Sequence, residues 1–145
     1  MLKIAIGSDH GGFAYKEAIK KYLKDKYEVI DVGTNDENSC HYPQFGIAAA
    51  KLVGSGQCDF GILVCTSGEG IMISANKVKG VRCAIGYNDE VSALSRQHNN
   101  ANMIAFGQKF MSLDDVLRRI NIFLSTDFEG GRHATRVQMI IDEEK

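Results

Sequence analysis

Short apolar runs alternate with helical stripes along almost the whole chain, and that alternation limits the fold more than any other feature. Residues 3–7, 27–32, 60–65, 83–86 and 103–106 are each predicted as strands. Between the first two, Tyr15, Ala18, Ile19, Tyr22 and Leu23 recur at helical spacing, with lysines on the other face. Phe45, Ala48, Ala49, Leu52 and Val53 make a second stripe. Further helices are predicted near 72–76, over 89–97 and around Leu113, Val116, Leu117 and Ile120. Strands that are almost continuously apolar belong to a sheet covered on both sides, and strands taking turns with helices imply parallel connections. The expected fold class is therefore α/β: a three-layer Rossmann-like sandwich with a five-stranded parallel sheet and helices on both faces. An extra C-terminal helix over 132–143 would carry Val137, Ile140 and Ile141 on one side. It would either cap its own sheet or reach across a dimer. The 145 residues suit one domain, 1–145.

Composition narrows the function. Seventeen Lys and Arg against eighteen Asp and Glu leave a formal charge of -1, which argues against a nucleic-acid binder. No apolar run approaches the roughly 18 residues of a membrane span. The opening residues 1–7 are too short and too soon broken for a secretion signal, so a cytoplasmic setting is expected. Cys40, Cys58, Cys65 and Cys83 are separated by 18, 7 and 18 residues, a spacing that fits neither a zinc ribbon nor a C-x-x-C redox pair. Free thiols are expected.

In open parallel sheets, ligands bind beyond the carboxyl ends of the strands. Those ends carry Gly7-Ser8-Asp9-His10-Gly11-Gly12 and Cys65-Thr66-Ser67-Gly68-Glu69-Gly70. The loop after the fourth strand and the helix end at 96–100 are expected to meet them on one rim. Cys65 closes an apolar strand just before a helix, where backbone N–H groups favour a thiolate and can cradle an oxyanion. The alternative is a small buried hydrophobe. Asp9 either caps a helix or handles a proton beside His10. His98 is either a surface residue at a helix end or an acid–base group. Arg132 and Arg136, one helical turn apart, suit a phosphomonoester or simply form a solvated edge. Lys109, after the fifth strand, points either to the same rim or to a neighbouring subunit. The loop at 66–70 matches no nucleotide fingerprint, and Ile71 stands where a cysteine phosphatase needs its arginine.

Taken together, these motifs resemble the ribose/galactose sugar-phosphate isomerases. The matching stretches are Gly7-Ser8-Asp9-His10-Gly11-Gly12-Phe13, Tyr42-Pro43, Cys65 to Ile71 running into Ala75-Asn76-Lys77, Ser95-Arg96-Gln97-His98-Asn99, Ala105-Phe106-Gly107, and Glu129-Gly130-Gly131-Arg132-His133 through Arg136. The resemblance covers nearly the whole chain. It implies a homodimer or tetramer with sites between subunits, acting on a small phosphosugar with no metal, cofactor, nucleic acid or membrane.

By position, the resemblance makes Cys65 the base that moves a proton between carbons 2 and 1 of ribose 5-phosphate, giving ribulose 5-phosphate through an enediolate. His98, Asp9 and Ser67 would open the sugar ring. The amides of Thr66, Ser67, Gly68, Glu69 and Gly70 would hold the enediolate oxygen. His10, Arg132 and Arg136 would hold the phosphate, with Asn99, Tyr42 and Lys109 as further substrate contacts. The chain departs from the family's common Cys-Gly-Thr-Gly loop at Thr66, and it has lysine at 109 where arginine is frequent. Ile71 replaces the glutamate that serves as base in relatives lacking the cysteine, and Glu69 is not that glutamate. Galactose 6-phosphate and allose 6-phosphate isomerases share the scaffold, and a catalytically idle sugar-phosphate-binding module is the other alternative.

Overall fold

The structure is a computed structural model that describes residues 1–144. Its elements are β1 (Lys3–Ser8), a 3-10 turn (His10–Gly12), α1 (Phe13–Leu23), β2 (Glu28–Asp31), α2 (Tyr42–Gly54), β3 (Phe60–Cys65), α3 (Glu69–Asn76), β4 (Cys83–Ile85), α4 (Asp89–Gln97), β5 (Met103–Gly107), α5 (Leu113–Ser125) and α6 (Arg132–Asp142). The five strands pair in parallel in the order β2-β1-β3-β5-β4. This is the expected Rossmann-like α/β sheet, with β5 inserted between β3 and β4.

Side chains alternate across the sheet with a period of two. Ile4, Ile6, Ile62, Val64, Ile104 and Phe106 face one layer, packed on Ile19 and Leu23 of α1 and on Val116, Ile120 and Phe123 of α5. Ala5, Leu63, Cys65, Met103 and Ala105 face the other, against Ala49, Ala50 and Val53 of α2 and Ile71 and Ala75 of α3. The second layer is rich in small residues, which lets α2 and α3 lie close to the strands. Burying each large side chain in either layer stabilises the fold by about 1.5–3 kcal/mol. Helix starts follow local chemistry: Asn88 accepts the Val91 amide at 2.7 Å, and Ser112 accepts the Asp115 amide at 3.1 Å.

Helix α1 departs from its predicted stripe. Lys16 is fully buried rather than solvated, and its buried companions are Ile19 and Leu23. The reason is a partner brought in from β2: Lys16 Nζ lies 2.6 Å from Asp31 Oδ2 and 3.0 Å from Glu17 Oε2. Lys20 also reaches Asp31, at 2.8 Å. Burial alone raises the Asp31 pKa, but hydrogen bonds from Lys16, Lys20 and the Gly33 amide outweigh it and hold the carboxyl below the usual range.

Helix α6 has only His133 and Val137 buried, while Met139 and Ile140 remain 68% and 51% exposed. A groove between β4 and the end of α6 is lined by Val78, Val81, Ala84 and Ile140, among others. The four cysteines are free. Among the described residues, no helix is long and apolar enough to cross a membrane.

Candidate active site

Strand β1 hydrogen-bonds β2 on one side and β3 on the other, so the chain leaves β1 and β3 in opposite directions and opens a crevice beyond their carboxyl ends. Two tight contacts shape it. Gly12 lies so close to the Val64 carbonyl that no side chain fits between them, which presses the 3-10 turn onto the end of β3. On the other side, Gly107 packs against the Ser67 backbone with the same lack of room. The amides of Gln108 and Lys109 then donate to the carbonyls of Cys65 (2.9 Å) and Thr66 (3.1 Å), pinning the loop to the end of β5. Lys109 thus starts on the Cys65 rim.

Within that clamp the chain turns sharply. Gly68 has φ +85° and starts α3, a conformation that costs other residues about 1–2 kcal/mol. The turn aims the Gly68 N–H at Cys65 Sγ, 3.1 Å away. Cys65 is 5% exposed, and its sulfur accepts this one bond. Ser67 Oγ accepts the Glu69 amide at 3.2 Å. The Ser67 amide donates to nothing among the described residues. Thr66 leans its hydroxyl against Gly11, so its extra bulk points at the turn carrying Asp9. The Tyr42 ring covers Gly70, closely enough that a Cβ there would sit 2.7 Å from Cζ.

Asp9 precedes the 3-10 turn, but its side chain makes no cap hydrogen bond. The residue is 6% exposed, and Oδ1 is buried without a hydrogen-bond partner. The capping alternative is therefore set aside, because a buried carboxylate oxygen left unpaired asks for a ligand group. His10 Nδ1 accepts the Cys40 amide at 3.2 Å. That bond leaves the neutral ring's proton on Nε2, where it can donate to an anion.

The remaining candidates lie elsewhere. Helix α4 starts beyond the carboxyl end of β4 and runs back against the strands, so His98 and Asn99 reach the rim where β5 begins. Arg96, buried at the end of α4, locks this place by donating to the Ala101 carbonyl (2.6 Å) and the Thr126 carbonyl (3.1 Å). The expectation that all the loops converge on one rim is thus corrected: a returning helix delivers its last residues to the amino-terminal end of the sheet. The six residues of β3 separate the two rims by roughly 17–20 Å.

The segment at 129–136 joins His98. The Glu129 amide donates to the Gln97 carbonyl at 3.0 Å, and the rings of His98 and His133 stack with centroids 4.2 Å apart and planes 11° from parallel. Arg132 and Arg136 are exposed at the start of α6 beside this stack. Burial lowers the His133 pKa; His98 and Arg132 add to the effect, and Glu129 opposes it. His133 and Glu129 were not singled out as site residues from the sequence. Glu129 precedes α6, and the positive-φ glycines Gly130 and Gly131 fold it back beside His133, so no regular spacing in the sequence signals the pair. Their donor atoms, with His98's, are the one grouping among the described residues suited to a metal ion.

One rim therefore holds Asp9, His10, Tyr42, Cys65, Thr66, Ser67, Gly68, Glu69, Gly70 and Lys109, and the other holds His98, Asn99, Arg132 and Arg136. A sequence model described as Ribose/Galactose Isomerase matches residues 4–140. The chain belongs to the ribose/galactose isomerase family. Among its relatives in that family, ribose-5-phosphate isomerase B of Escherichia coli (strain K12) is 40% identical over 141 residues, covering 97% of this chain and 95% of its own. The ribose-5-phosphate isomerase B structure from Clostridium thermocellum superposes with a TM-score of 0.96 at 48% identity, over 97% of this chain and 96% of that one. The Mycoplasma genitalium ribose-5-phosphate isomerase B, solved with bound ribulose-5-phosphate, gives a TM-score of 0.94 at 39% identity, over 98% and 95% of the two chains.

Proposed function

We propose that this chain interconverts ribose 5-phosphate and ribulose 5-phosphate, with Cys65 as the base, in a site that two copies of the chain complete together. The observation that carries the reading is the hydrogen bond from the Gly68 amide to the Cys65 sulfur, on the same rim as Asp9, whose buried Oδ1 has no hydrogen-bond partner. A proton on carbon beside a carbonyl is weakly acidic, and its removal puts charge on the carbonyl oxygen. The Cys65 thiolate takes the proton from carbon 2. The electron pair moves to the carbon 1 oxygen, which the free Ser67 amide and its neighbours in the loop stabilise. The hydroxyl proton on the carbon 2 oxygen passes to the carbon 1 oxygen, and the thiol returns its proton to carbon 1, giving the ketose.

The sugar arrives as a ring. Asp9 takes the hydroxyl hydrogen from carbon 1, helped by Ser67, while His98 protonates the ring oxygen. Because one chain holds Asp9 and His98 on opposite rims, His98 comes from a second copy. Arg132 and Arg136 of that copy, with His10 of the first, hold the phosphate and fix the reactive end in register. Tyr42, Asn99 and Lys109 line the path between them. The apolar groove beside β4 and the exposed Met139 and Ile140 of α6 supply a seam for the second copy. Four free cysteines support a reducing, cytoplasmic setting.

The test is incubation with ribose 5-phosphate in D₂O. Ketose should form with deuterium at carbon 1. Ketose formation only with allose or galactose 6-phosphate would move the assignment to a six-carbon substrate. Binding without turnover of any of the three would reduce the protein to a sensor.

A further inference from the structure

The amino-terminal rim holds three side chains that the isomerase chemistry does not use as a set. His133 Nε2 lies 3.7 Å from Glu129 Oε1, and His98 Nε2 lies 4.0 Å from the same oxygen. All the donor atoms fall within 4.8 Å of one another. The His133 side chain is only 8% exposed, and its Nε2 is buried with no hydrogen-bond partner among the described residues. Leaving a buried polar atom unmatched is costly, and native structures keep few of them without a reason. Two imidazoles and a carboxylate are a donor set of zinc sites that keep a fourth position open. Calcium and magnesium prefer oxygen donors throughout.

We propose that His98, Glu129 and His133 bind a zinc-like divalent transition ion, and that the bound ion silences the enzyme by withdrawing His98 from ring opening. Donor atoms about 2.05 Å from a tetrahedral ion stand about 3.3 Å from each other. The separations of 3.7 and 4.0 Å close to that value when Glu129, 52% exposed, rotates and the His98 ring, 39% exposed, turns out of its stack on His133 so that both imidazoles aim a nitrogen at one ion. Water fills the fourth position. Arg132 and Arg136 on the same helix oppose a cation, so the ion is held reversibly rather than locked in as a structural metal. The binding site stands apart from the reaction assigned above, and only the silencing rests on that reading.

The test uses full-length protein stripped with a chelator, exchanged into metal-free buffer and titrated with Co²⁺ and with Zn²⁺. One ion per chain is expected, with the visible bands of tetrahedral cobalt and without strong thiolate-to-metal charge transfer. Turnover falls as Zn²⁺ fills the site and returns with EDTA. Glu129→Gln and His133→Gln each weaken ion affinity by at least about tenfold, the loss seen even for outer-sphere partners. If His133→Gln does not fold, the exposed Glu129 still carries the test. Cys65→Ala keeps the ion. Unchanged affinity in Glu129→Gln, or loss of the cobalt bands in Cys65→Ala, overturns the site. An ion bound at this triad with undiminished turnover overturns the silencing and the ring-opening role of His98, but not the site.

Discussion

The amide of Gly68 donates to the sulfur of Cys65 across 3.1 Å, and Gly68 does so from a left-handed backbone conformation at the start of α3. The turn that begins the helix therefore also aims a donor at the proposed base. Gly68→Ala adds a Cβ 2.9 Å from the Phe106 carbonyl carbon at that same positive φ. It should lower kcat by about 10²-fold, the size of effect that a 1 Å misplacement can bring. It should lower stability by about 1–2 kcal/mol. Steady-state kinetics and urea unfolding on the same variant check both.

Cys65→Ala removes the proposed base and leaves the clamp of Gly12 and Gly107 in place. Exchange of the carbon-bound proton should fall by about 10³-fold, the middle of the range for general acid–base groups. Affinity for the phosphosugar should change little. NMR in D₂O and calorimetric binding separate the two, and near-normal exchange would remove the sulfur from the mechanism.

Two inactive variants should rescue each other if the site is shared. Cys65→Ala damages one rim and His98→Asn the other, so a mixed dimer contains one site free of both changes. Random exchange of subunits should restore about a quarter of wild-type activity, given a symmetric two-site dimer. Mixing after partial denaturation and refolding tests this, and no recovery would count against the composite site.

Arg136→Ala should raise KM for ribose 5-phosphate by about tenfold or more, as expected for losing a charged hydrogen bond to phosphate. The effect on kcat should be smaller. An unchanged KM would place the phosphate elsewhere.

The Lys16–Asp31 pair makes the fold acid-sensitive. The Asp31 pKa is lower in the folded protein than the ordinary value of 3.8. Its contribution is therefore complete above that value and is lost as pH falls through it toward the folded pKa. Asp31→Asn should cost about 3 kcal/mol at neutral pH by stranding a buried ammonium that keeps only Glu17. It should also flatten the fall in stability below about pH 4. Urea midpoints across pH 3–7 check both effects.

The sheet was legible because strands such as Ile4-Ala5-Ile6 are apolar on both faces and take turns with helical stripes, which is what a sheet buried between two helical layers requires. The rim of Asp9 and Cys65 was legible because Asp9 directly follows β1 and Cys65 ends β3. Lys16 was not, because apolar periodicity counts only hydrophobic residues, and Asp31, its partner, sits fifteen positions away. The place of His98 was misjudged by ignoring the direction of α4, which carries its end away from Cys65. His133 was given no site role because the ring that stacks on it, His98, lies thirty-five residues earlier.

The missing room between Gly12 and Val64 has a wider consequence. No cushion separates the turn that carries Asp9 from the Val64 backbone, so a shift of β3 at Val64 is passed on to Asp9. Substitutions that loosen the packing of Val64 should therefore tell first on the placement of Asp9.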